Sequence, residues 1–340
     1  MFGNKYTIMK TNFIIYIFML LLLASCYKDY DIYKQAEGKN YIVINGFLER
    51  DSSFILSIGK SDLPSKLTPE DGNIDVDSIK IYKFIDNNDK VLIEMAKNFH
   101  SPYNSQCKGV QGAQYYIEVF AIGKKASVVN RIPDTVGINS INITDIRVDT
   151  FSQGKINSAN INFILSVNFT DPDTENYYII SGYYISPVFY LDTSTYQYTD
   201  SLLGIRPEPI NFDYADIQQI HNLMRMYMPP RFAGMGFSDA LFNGQNYTMR
   251  LRANISLNYT SELLTTYPML PLLIELITID KAMYKHAETK IKYYRTLYNP
   301  FMEPVNVYSN VRGGFGLVGA LNRVRKVKLL NIRQLLTINK

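Results

Sequence analysis

The sequence predicts a mainly β protein, in which a sandwich of about seven strands precedes a second β-rich domain with one long α-helix near its C-terminus. Three observations support this fold class. Tyrosine, which suits half-buried strand surfaces, occurs 27 times. Short apolar runs recur between turn residues along most of the chain. One late segment alternates apolar and polar residues with a period of two, which no helix satisfies.

The N-terminal segment, residues 1–25, reads as a lipoprotein signal peptide. Residues 13–24 are almost wholly apolar and follow two lysines without an acidic residue. A run of about a dozen apolar residues is too short to span a bilayer but fits a secretory signal. Leu23-Ala24-Ser25-Cys26 resembles the lipobox of bacterial lipoproteins, which implies cleavage before Cys26 and acyl chains, such as palmitate, on that cysteine. An ordinary cleavage site or membrane anchor is the alternative.

Residues 26–39 form a polar segment without periodicity and are predicted to be a lipidated tether. Lys28, Asp29 and Asp31 resemble the lysine-plus-acidic signal that sends lipoproteins of the phylum Bacteroidota to the outer face of the outer membrane. A plain solvated linker would also be polar and charged. We therefore expect the chain to be anchored in the outer membrane by its acyl chains and to face the cell exterior.

The predicted sandwich covers residues 40–132. Its strand-like runs are separated by Gly, Asn and Asp, and they lie at 41–47, 54–58, 79–84, 91–95, 115–121 and 126–129. Residues 86–89 and the pair Gly123-Lys124 are predicted hairpin turns. The segment Arg131-Ile132-Pro133-Asp134 breaks the pattern and is the predicted domain boundary.

The second domain is predicted to cover residues 133–340 and to begin with strands near residues 141, 161–169 and 177–185. Its clearest strand is "YTMRLRANIS", 247–256, in which the apolar residues face one way and the polar ones the other. The apolar set is Tyr247, Met249, Leu251, Ala253 and Ile255. The polar set is Thr248, Arg250, Arg252, Asn254 and Ser256.

A stretch without sustained periodicity, about 192–240, is predicted to be an irregular insertion rich in Tyr, Met, Pro and Gly. Because Tyr and Met adapt well to partners, this insertion is the predicted contact surface for another protein. The candidate contact residues are Tyr196, Met224, Met226, Tyr227, Met228 and Phe232. The alternative is a lid packed over the core of the second domain.

The long helix is predicted at about 279–297, where Ile279, Met283, Ala287, Ile291, Tyr294 and Leu297 form one apolar stripe. The pair Asn299-Pro300 ends it. The last segment, 321–340, contains six basic and no acidic residues and reads as a strand followed by a tail. It is either a solvated strand or a contact for lipopolysaccharide phosphates or an acidic partner.

Composition narrows the function classes. Without Lys5 and Lys10 of the signal peptide, the formal net charge falls from +4 to +2, which gives no argument for nucleic acid. Cys107 is the only cysteine besides Cys26, so the sequence allows no intramolecular disulfide if Cys26 is acylated, and no cysteine metal cluster. With 46% hydrophobic and 19% charged residues, the mature chain should fold as a globular protein.

No catalytic or metal-binding motif stands out, so the sequence predicts no enzyme, no metal and no cofactor. The three histidines, His100, His221 and His286, lack the spacing of a zinc site, and His286 is predicted to be packed beside the helix stripe. The S-x-x-K match at 57–60 lies in a strand-like run, whereas the catalytic S-x-x-K pair works in the first turn of a helix. We therefore interpret this match as chance. The acidic runs at 71–77 and 171–175 are predicted to be turns, with calcium as the alternative.

The C-terminal segment "LYNPFMEPVNVYSNVRGGFGLVGA", 297–320, closely resembles the closing motif of a family of Bacteroidota lipoproteins catalogued as domain of unknown function 4249. The phrases "YIVINGFLE", "GAQYYIEV", "VNFTDPDTENYYIISGYY" and "LFNGQNYTMRLR" match further landmarks of that family. The resemblance implies an N-terminal immunoglobulin-like sandwich and a β-rich second domain. The glycines at 313, 314 and 316 lack a phosphate-binding context and are predicted to let the backbone pass close to another strand.

The resemblance also implies that the protein belongs to a family whose members are often encoded beside TonB-dependent receptors. No activity or ligand is known for that family. The predicted function is therefore a non-catalytic outer-membrane lipoprotein that acts as an accessory or cargo-binding partner of a TonB-dependent nutrient receptor. The alternatives are a hydrolase of surface polymers and a structural or adhesion component of the envelope.

Overall fold

The computed structural model describes residues 40–61, 74–86, 89–153, 156–192, 197–214, 224–228, 232–297, 299, 301, 303 and 305–338. Side chains are outside this description at 153, 190–192, 197–201, 214, 224–228, 232–233 and 338. The signal peptide, 1–25, and the tether, 26–39, lie outside the described residues. Residues Tyr41–Ser61 and Thr68–Lys340 belong to one compact unit.

The fold is mainly β, as predicted, and the described strands form three sheets. The strands of the largest sheet are β1 (Ile42–Glu49), β2 (Ser53–Lys60), β5 (Tyr103–Lys108), β10 (Tyr177–Asp192), β11 (Gln197–Pro209), β13 (Met224–Met228), β14 (Phe232–Ser238), β16 (Met269–Ile279), β17 (Gly314–Phe315) and β18 (Val318–Asn331). Their order is β13-β14-β10-β16-β18-β1-β2-β5, with β11 beside β10 and β17 beside β1. Strands of the first and last thirds of the chain therefore share one sheet.

Two four-stranded sheets complete the described β structure. One contains β3 (Asp75–Phe84), β4 (Lys90–His100), β6 (Gln114–Ala121) and β7 (Lys124–Arg131), in the order β4-β3-β6-β7. The other contains β8 (Ile138–Gln153), β9 (Ile156–Thr170), β12 (Asn211–Tyr214) and β15 (Asn246–Tyr259), in the order β12-β15-β9-β8. The described helices are α1 (Ser261–Thr266), α2 (Lys281–Leu297) and α3 (Ile332–Ile338).

Both four-stranded sheets pack on the same face of the large sheet. Strand β18 shows this, because residues on one of its two faces contribute to both cores. In β18, Val318 and Ala320 belong to the core under β3, β4, β6 and β7, while Leu330 belongs to the core under β8, β9 and β15. Leu321, which has the opposite parity, packs with Met283 of α2. Helix α2 therefore covers the other face of the large sheet. The two cores separate near the predicted boundary at 131–134, but the division into two domains stays a prediction.

The glycine motif brings strands β1, β17 and β18 together, as the sequence predicted. A Cβ atom at Gly314 would lie 2.3 Å from the carbonyl oxygen of Ile42, and one at Gly316 would lie 2.2 Å from that of Ile44. Gly316 also has a φ of +114°, which L side chains rarely adopt. Only glycine therefore fits where β17 and β18 run parallel beside β1.

Both predicted turns connect hairpins. The amide of Ile85 donates to the carbonyl of Asp89 at 2.9 Å between β3 and β4. Gly123, with a φ of +66°, lies between β6 and β7. The strictly alternating segment is β15, in which Met249, Leu251 and Ala253 are buried, which confirms the predicted inward face.

The prediction that 192–240 is irregular was wrong, because its described parts contain β11, β12, β13 and β14. Strand β11 lacks a period of two because its described side chains are mostly exposed, including Leu203 and Ile205, so burial imposes no alternation on them. The helix begins at Lys281, since Ile279 ends β16 by pairing with Leu321. Of its predicted stripe, Tyr294 and Leu297 are exposed. The C-terminal segment forms β18 as predicted, and the described part of the predicted tail forms α3.

Candidate functional site

A groove of about 720 Å³ crosses the outer face of the sheet β12-β15-β9-β8. The period of two sends the apolar residues of these strands into the core and their polar neighbours toward solvent. The outward side chains that line the groove are Asp145, Arg147, Asn162, Ile164, Asn211, Asp213, Arg252 and Asn254. The groove therefore offers amide, carboxylate and guanidinium groups over a well-packed floor.

Strand register arranges these side chains in two rows. One row runs Asn211, Asn254, Asn162 and Arg147 across the four strands. The other runs Asp213, Arg252, Ile164 and Thr144, with Asp145 next to the last position. Neighbouring strands lie about 4.8 Å apart, so each row spans roughly 15 Å.

A β-bulge shapes the β8 side of the groove. The pairing of β8 with β9 shifts register between Thr144 and Arg147, and Asp145 there has a φ of +53°. This left-handed conformation is costly for a residue with a side chain. The hydroxyl of Thr144 donates to the Asp145 carboxylate at 3.3 Å. Because the bulge inserts one extra residue on β8, Asp145 and Arg147 both line the groove.

Hydrogen bonding distinguishes the groove from the rest of this sheet face. Elsewhere on the face, hydroxyl and amide groups bond across strands, as in Asn168–Thr248, Ser256–Asn160 and Ser158–Asn258, each at 2.8 Å. In the groove, Asn254 Nδ2 donates to Asn162 Oδ1 at 2.8 Å, and the oxygen of Asn254 and the NH₂ group of Asn162 have no side-chain partner among the described residues. The side chains of Arg147, Arg252 and Asn211 form no hydrogen bond or ion pair within the described part of the chain.

A second cleft, of about 630 Å³, lies where β1 meets β18. Its lining consists of Glu49, Arg50, Asp51, Ser52, Asn322, Arg323, Val324 and Arg325. The cations here are already paired: Arg323 Nε lies 2.7 Å from Glu49, and Arg325 Nε lies 2.6 Å from the buried Glu275. This cleft therefore has less free hydrogen-bonding capacity than the groove.

Glu275 is the centre of the charge cluster beneath this cleft. Its side chain is 2% exposed, and it also accepts from the hydroxyl of Ser181 at 3.1 Å and lies 3.3 Å from Arg323 Nη1. Burial disfavours the charge of Arg323, but Glu49 and Glu275 outweigh that penalty and raise the pKa of the guanidinium. These charges stabilise one another across β1, β18, β16 and β10.

The sequence-predicted site residues are only partly within the described chain. Cys26, Lys28, Asp29, Asp31 and Tyr196 lie outside it.

The other predicted contact residues lie on the edge hairpin β13–β14. Met224, Met226, Tyr227 and Met228 are on β13 and Phe232 is on β14, where Met228 pairs with Phe232. Their backbones lie at the edge of the ten-stranded sheet, and their side chains are outside the description. The partner contact stays a prediction.

The other chemistry-bearing residues serve local structure. His100 Nδ1 lies 3.1 Å from the carboxylate of Asp75 at the surface, and His221 is outside the description. His286 Nδ1 lies 2.7 Å from the carbonyl oxygen of Tyr308, and burial lowers the pKa of this imidazole. The described residues contain no group of three or more His, Cys, Asp or Glu that could hold a metal ion. Cys107 is half-buried, and burial raises the pKa of its thiol to about 11.

The acidic loop at 171–175 is a structural turn. Asp171 is buried and accepts hydrogen bonds from the hydroxyl of Tyr178 and, at 2.9 Å, from the amide of Gly244. Burial raises the pKa of this carboxyl group, against the effect of both bonds. The loop thus connects β9 and β10 to the turn before β15.

Sequence reasoning identified the outward residues of β15 but not the groove to which they belong. Part of the signal for the groove is in the sequence, because β9 shows the same alternation as β15. Its residues Asn160, Asn162 and Ser166 face outward. No described helix combines the length and apolar character needed to cross a membrane.

A search of curated proteins gives no match for this chain. A protein-family model, described as "Domain of unknown function (DUF4249)", matches residues 28–327. This range covers most of the chain, including every strand of the groove and the glycine motif. The chain therefore belongs to the family of domain of unknown function 4249.

Proposed function

We propose that the protein is a non-catalytic lipoprotein of the outer membrane that faces the cell exterior and binds cargo for a TonB-dependent nutrient receptor. The groove across β12-β15-β9-β8 carries the binding part of this proposal. It combines the side chains of Arg147, Arg252 and Asn211, which have no hydrogen bond or ion pair among the described residues, with a floor of four paired strands. Such preorganised polar groups favour binding because little order has to be imposed on them.

The location follows from the N-terminal sequence. The lipobox-like residues that end at Cys26 support acylation, and several acyl chains anchor a protein almost permanently. The charged residues Lys28, Asp29 and Asp31 support export to the outer face. We also infer that residues 40–132 form an immunoglobulin-like sandwich. Three strands, β1, β2 and β5, facing four, β4, β3, β6 and β7, support this inference.

The non-catalytic part of the proposal rests on distances between strands. A glycoside hydrolase needs two carboxyl groups about 5–9.5 Å apart. The two carboxylates that line the groove, Asp145 and Asp213, stand on β8 and β12, which are three strand spacings or about 14 Å apart. The groove carboxylates therefore do not support a surface polymer hydrolase, and the alternative of a structural or adhesion component has no observation comparable to the groove.

Lipid labelling combined with protease treatment tests the location. Cells that express the wild-type chain, Cys26→Ala, or a variant with Lys28 and Asp29 replaced by alanine are given a labelled fatty acid and then treated intact with protease. We expect label on the wild type and the tether variant but not on Cys26→Ala. Only the acylated wild type should be digested. Acylated wild-type protein that stays protected would place it in the periplasm and contradict the proposal.

Affinity purification from solubilised outer membranes tests the receptor partnership. We expect a TonB-dependent receptor to be enriched with the tagged wild-type chain, and enrichment to persist for a groove variant such as Arg252→Met. If no such receptor is enriched after mild crosslinking, the accessory role is wrong, whatever the groove binds.

A further inference from the structure

We propose that the groove across β12-β15-β9-β8 binds a neutral, hydroxyl-rich ligand, namely an uncharged oligosaccharide. This inference rests on the proposed binding function of the groove and specifies the chemical class of its ligand. Three properties of the groove carry it: its balanced charge, the type and spacing of its polar groups, and the state of the backbone beneath them.

The charges that line the groove cancel. Asp145 and Asp213 contribute two negative charges, and Arg147 and Arg252 contribute two positive ones. One row carries Arg147 as its only charge, and the other combines Arg252 with Asp213 and the adjacent Asp145, so the two rows differ by one charge each way and the lining as a whole is balanced. An acidic ligand would meet two carboxylates and a basic ligand two guanidinium groups, and either repulsion costs affinity. A ligand without net charge avoids both costs.

The polar groups suit hydroxyls, which both donate and accept. Carboxylates accept, guanidinium groups donate, and the Asn254–Asn162 pair keeps one amide oxygen and one NH₂ group beyond its own hydrogen bond. A sugar ring presents hydroxyls on neighbouring carbons, which can bond to both atoms of one planar amide, carboxylate or guanidinium group. Ile164, in the middle of the second row, offers an apolar surface for the C–H face of such a ring.

The backbone beneath the groove disfavours an extended peptide as the ligand. Peptides that join a sheet bind through the unpaired N–H and C=O groups of an edge strand. The groove instead lies on the face of the sheet, over β15 and β9, which are paired on both sides, and it meets the edge strands β12 and β8 only at its two ends. Recognition must therefore come from the side chains, and these rows span roughly 15 Å, the scale of a short oligomer.

Calorimetric titration of the purified mature chain, with Cys26→Ser to keep it unlipidated, tests the ligand class. The probes are neutral hexamers of glucose, xylose, mannose, galactose and N-acetylglucosamine. Comparison probes are a hexamer of galacturonic acid, a hexamer of glucosamine and a polyalanine hexapeptide. We expect at least one neutral hexamer to bind with a Kd below about 1 mM and the comparison probes to bind at least about tenfold more weakly.

Two groove variants locate the binding. Arg252→Met keeps the length of the side chain but removes its donors, and we expect it to weaken binding about 10- to 100-fold, as for the loss of a charged hydrogen bond. Asn162→Ala removes the amide of the neighbouring row and should also weaken binding. The matched control is Thr248→Ala, which lies on the same outward face of β15 beyond the groove and should leave the Kd unchanged. Circular dichroism melting verifies that each variant is folded.

The outcomes separate this inference from the proposed function. Preferred binding of an acidic, basic or peptide probe overturns the inference, and so does failure of all five neutral hexamers. Neutral binding that Arg252→Met and Asn162→Ala leave unchanged also overturns it, because the site is then elsewhere. Receptor enrichment and surface exposure would survive any of these results. Conversely, neutral binding in the groove would stand even if the protein proved to face the periplasm.

Discussion

Two regions of the molecule use the same side-chain types in opposite ways. Around Glu275, carboxylates and guanidinium groups pair with one another, and the side chains of Glu275 and Arg323 are 2% and 14% exposed. In the groove, Arg147 and Arg252 face solvent without a partner among the described residues. The first arrangement connects four strands of the large sheet. The second leaves its hydrogen-bonding capacity available to a ligand.

The difference teaches where charge contributes to stability and where it can serve binding. Charges that leave water need compensation from each other, so removing one member of a buried set is costly. Charges that stay hydrated contribute little to stability, and their loss is tolerated by the fold. Substitutions in the two regions should therefore affect different measurements.

The largest effect is expected for Glu275→Ala. This change leaves Arg323 buried with only Glu49 as a partner and removes the main partner of Arg325. We expect the free energy of unfolding to fall by about 3–5 kcal/mol, as for other buried pairs that lose one member. Urea denaturation of the unlipidated mature chain measures it.

Arg252→Met is the matched control for Glu275→Ala, because it removes a charge from the groove. It should change the free energy of unfolding by no more than about 0.5 kcal/mol. A loss similar to that of Glu275→Ala would mean that the groove charges also hold the fold, and the contrast between the two regions would fail.

The next effect concerns pH and Asp280, the carboxyl group at the start of α2. Burial raises its pKa from 3.8 to about 6, although its bonds to the amide of Ala320 and the side chain of Asn130 act in the opposite direction. The folded state therefore binds the proton more tightly than the unfolded state. The stability that Asp280 contributes is fully present below about pH 4 and declines by about 3 kcal/mol as the pH rises to 6.

Urea denaturation of the wild type and of Asp280→Ala, at pH values from about 3.5 to about 7, measures this decline. The advantage of the wild type over the variant should shrink with rising pH. A difference that stays constant, or grows, would show that Asp280 is not the protonated group. Asp213→Ala is the control from the groove.

A smaller effect is expected for Asp145→Gly, which should change stability and binding in opposite directions. Asp145 adopts a φ of +53° within the bulge of β8, and glycine adopts this conformation without strain. We expect Asp145→Gly to raise the free energy of unfolding by about 0.5–1 kcal/mol while it weakens oligosaccharide binding, since the carboxylate is lost. Thermal melting and calorimetric titration measure the two quantities.

Asp145→Ala completes this test. It removes the same carboxylate but keeps a side chain in the left-handed conformation, so it should weaken binding without a gain in stability. If both variants were stabilised equally, carboxylate repulsion rather than backbone strain would be the cause.

The sequence was informative wherever a local pattern decides the structure. The alternation in β15 identified both of its faces, because burial on one side imposes a period of two. The glycines at 314 and 316 correctly predicted a close approach to the backbone of another strand, which is β1, because a Cβ atom at either position would collide with it. Strand β11 was not predicted for the opposite reason. Its side chains are mostly exposed, so its sequence shows no alternation of apolar and polar residues.

The groove could not be read from local patterns because it depends on register between distant strands. Asn211 and Asn254 become neighbours across β12 and β15, and Arg147 reaches the same row only because of a bulge in β8. Each of these residues, taken alone, is an ordinary outward-facing polar residue. Only the pairing of the four strands makes them one site.

The smallest expected effect is that of salt on oligosaccharide binding. Its measurement tests most directly whether the groove charges act differently from those around Glu275. The Debye length falls from about 14 Å at 0.05 M salt to about 4 Å at 0.5 M, so the attraction of a charged ligand to surface arginines would weaken strongly. A neutral oligosaccharide has no such attraction to lose. We expect its Kd to change less than about twofold over this range, because its hydrogen bonds act at contact distance. A steep salt dependence in calorimetric titration would mean that Arg147 and Arg252 act as a cationic surface rather than as hydrogen-bond donors. The groove arginines would then resemble those around Glu275, with anions from solution, displaced when the ligand binds, in place of the carboxylates.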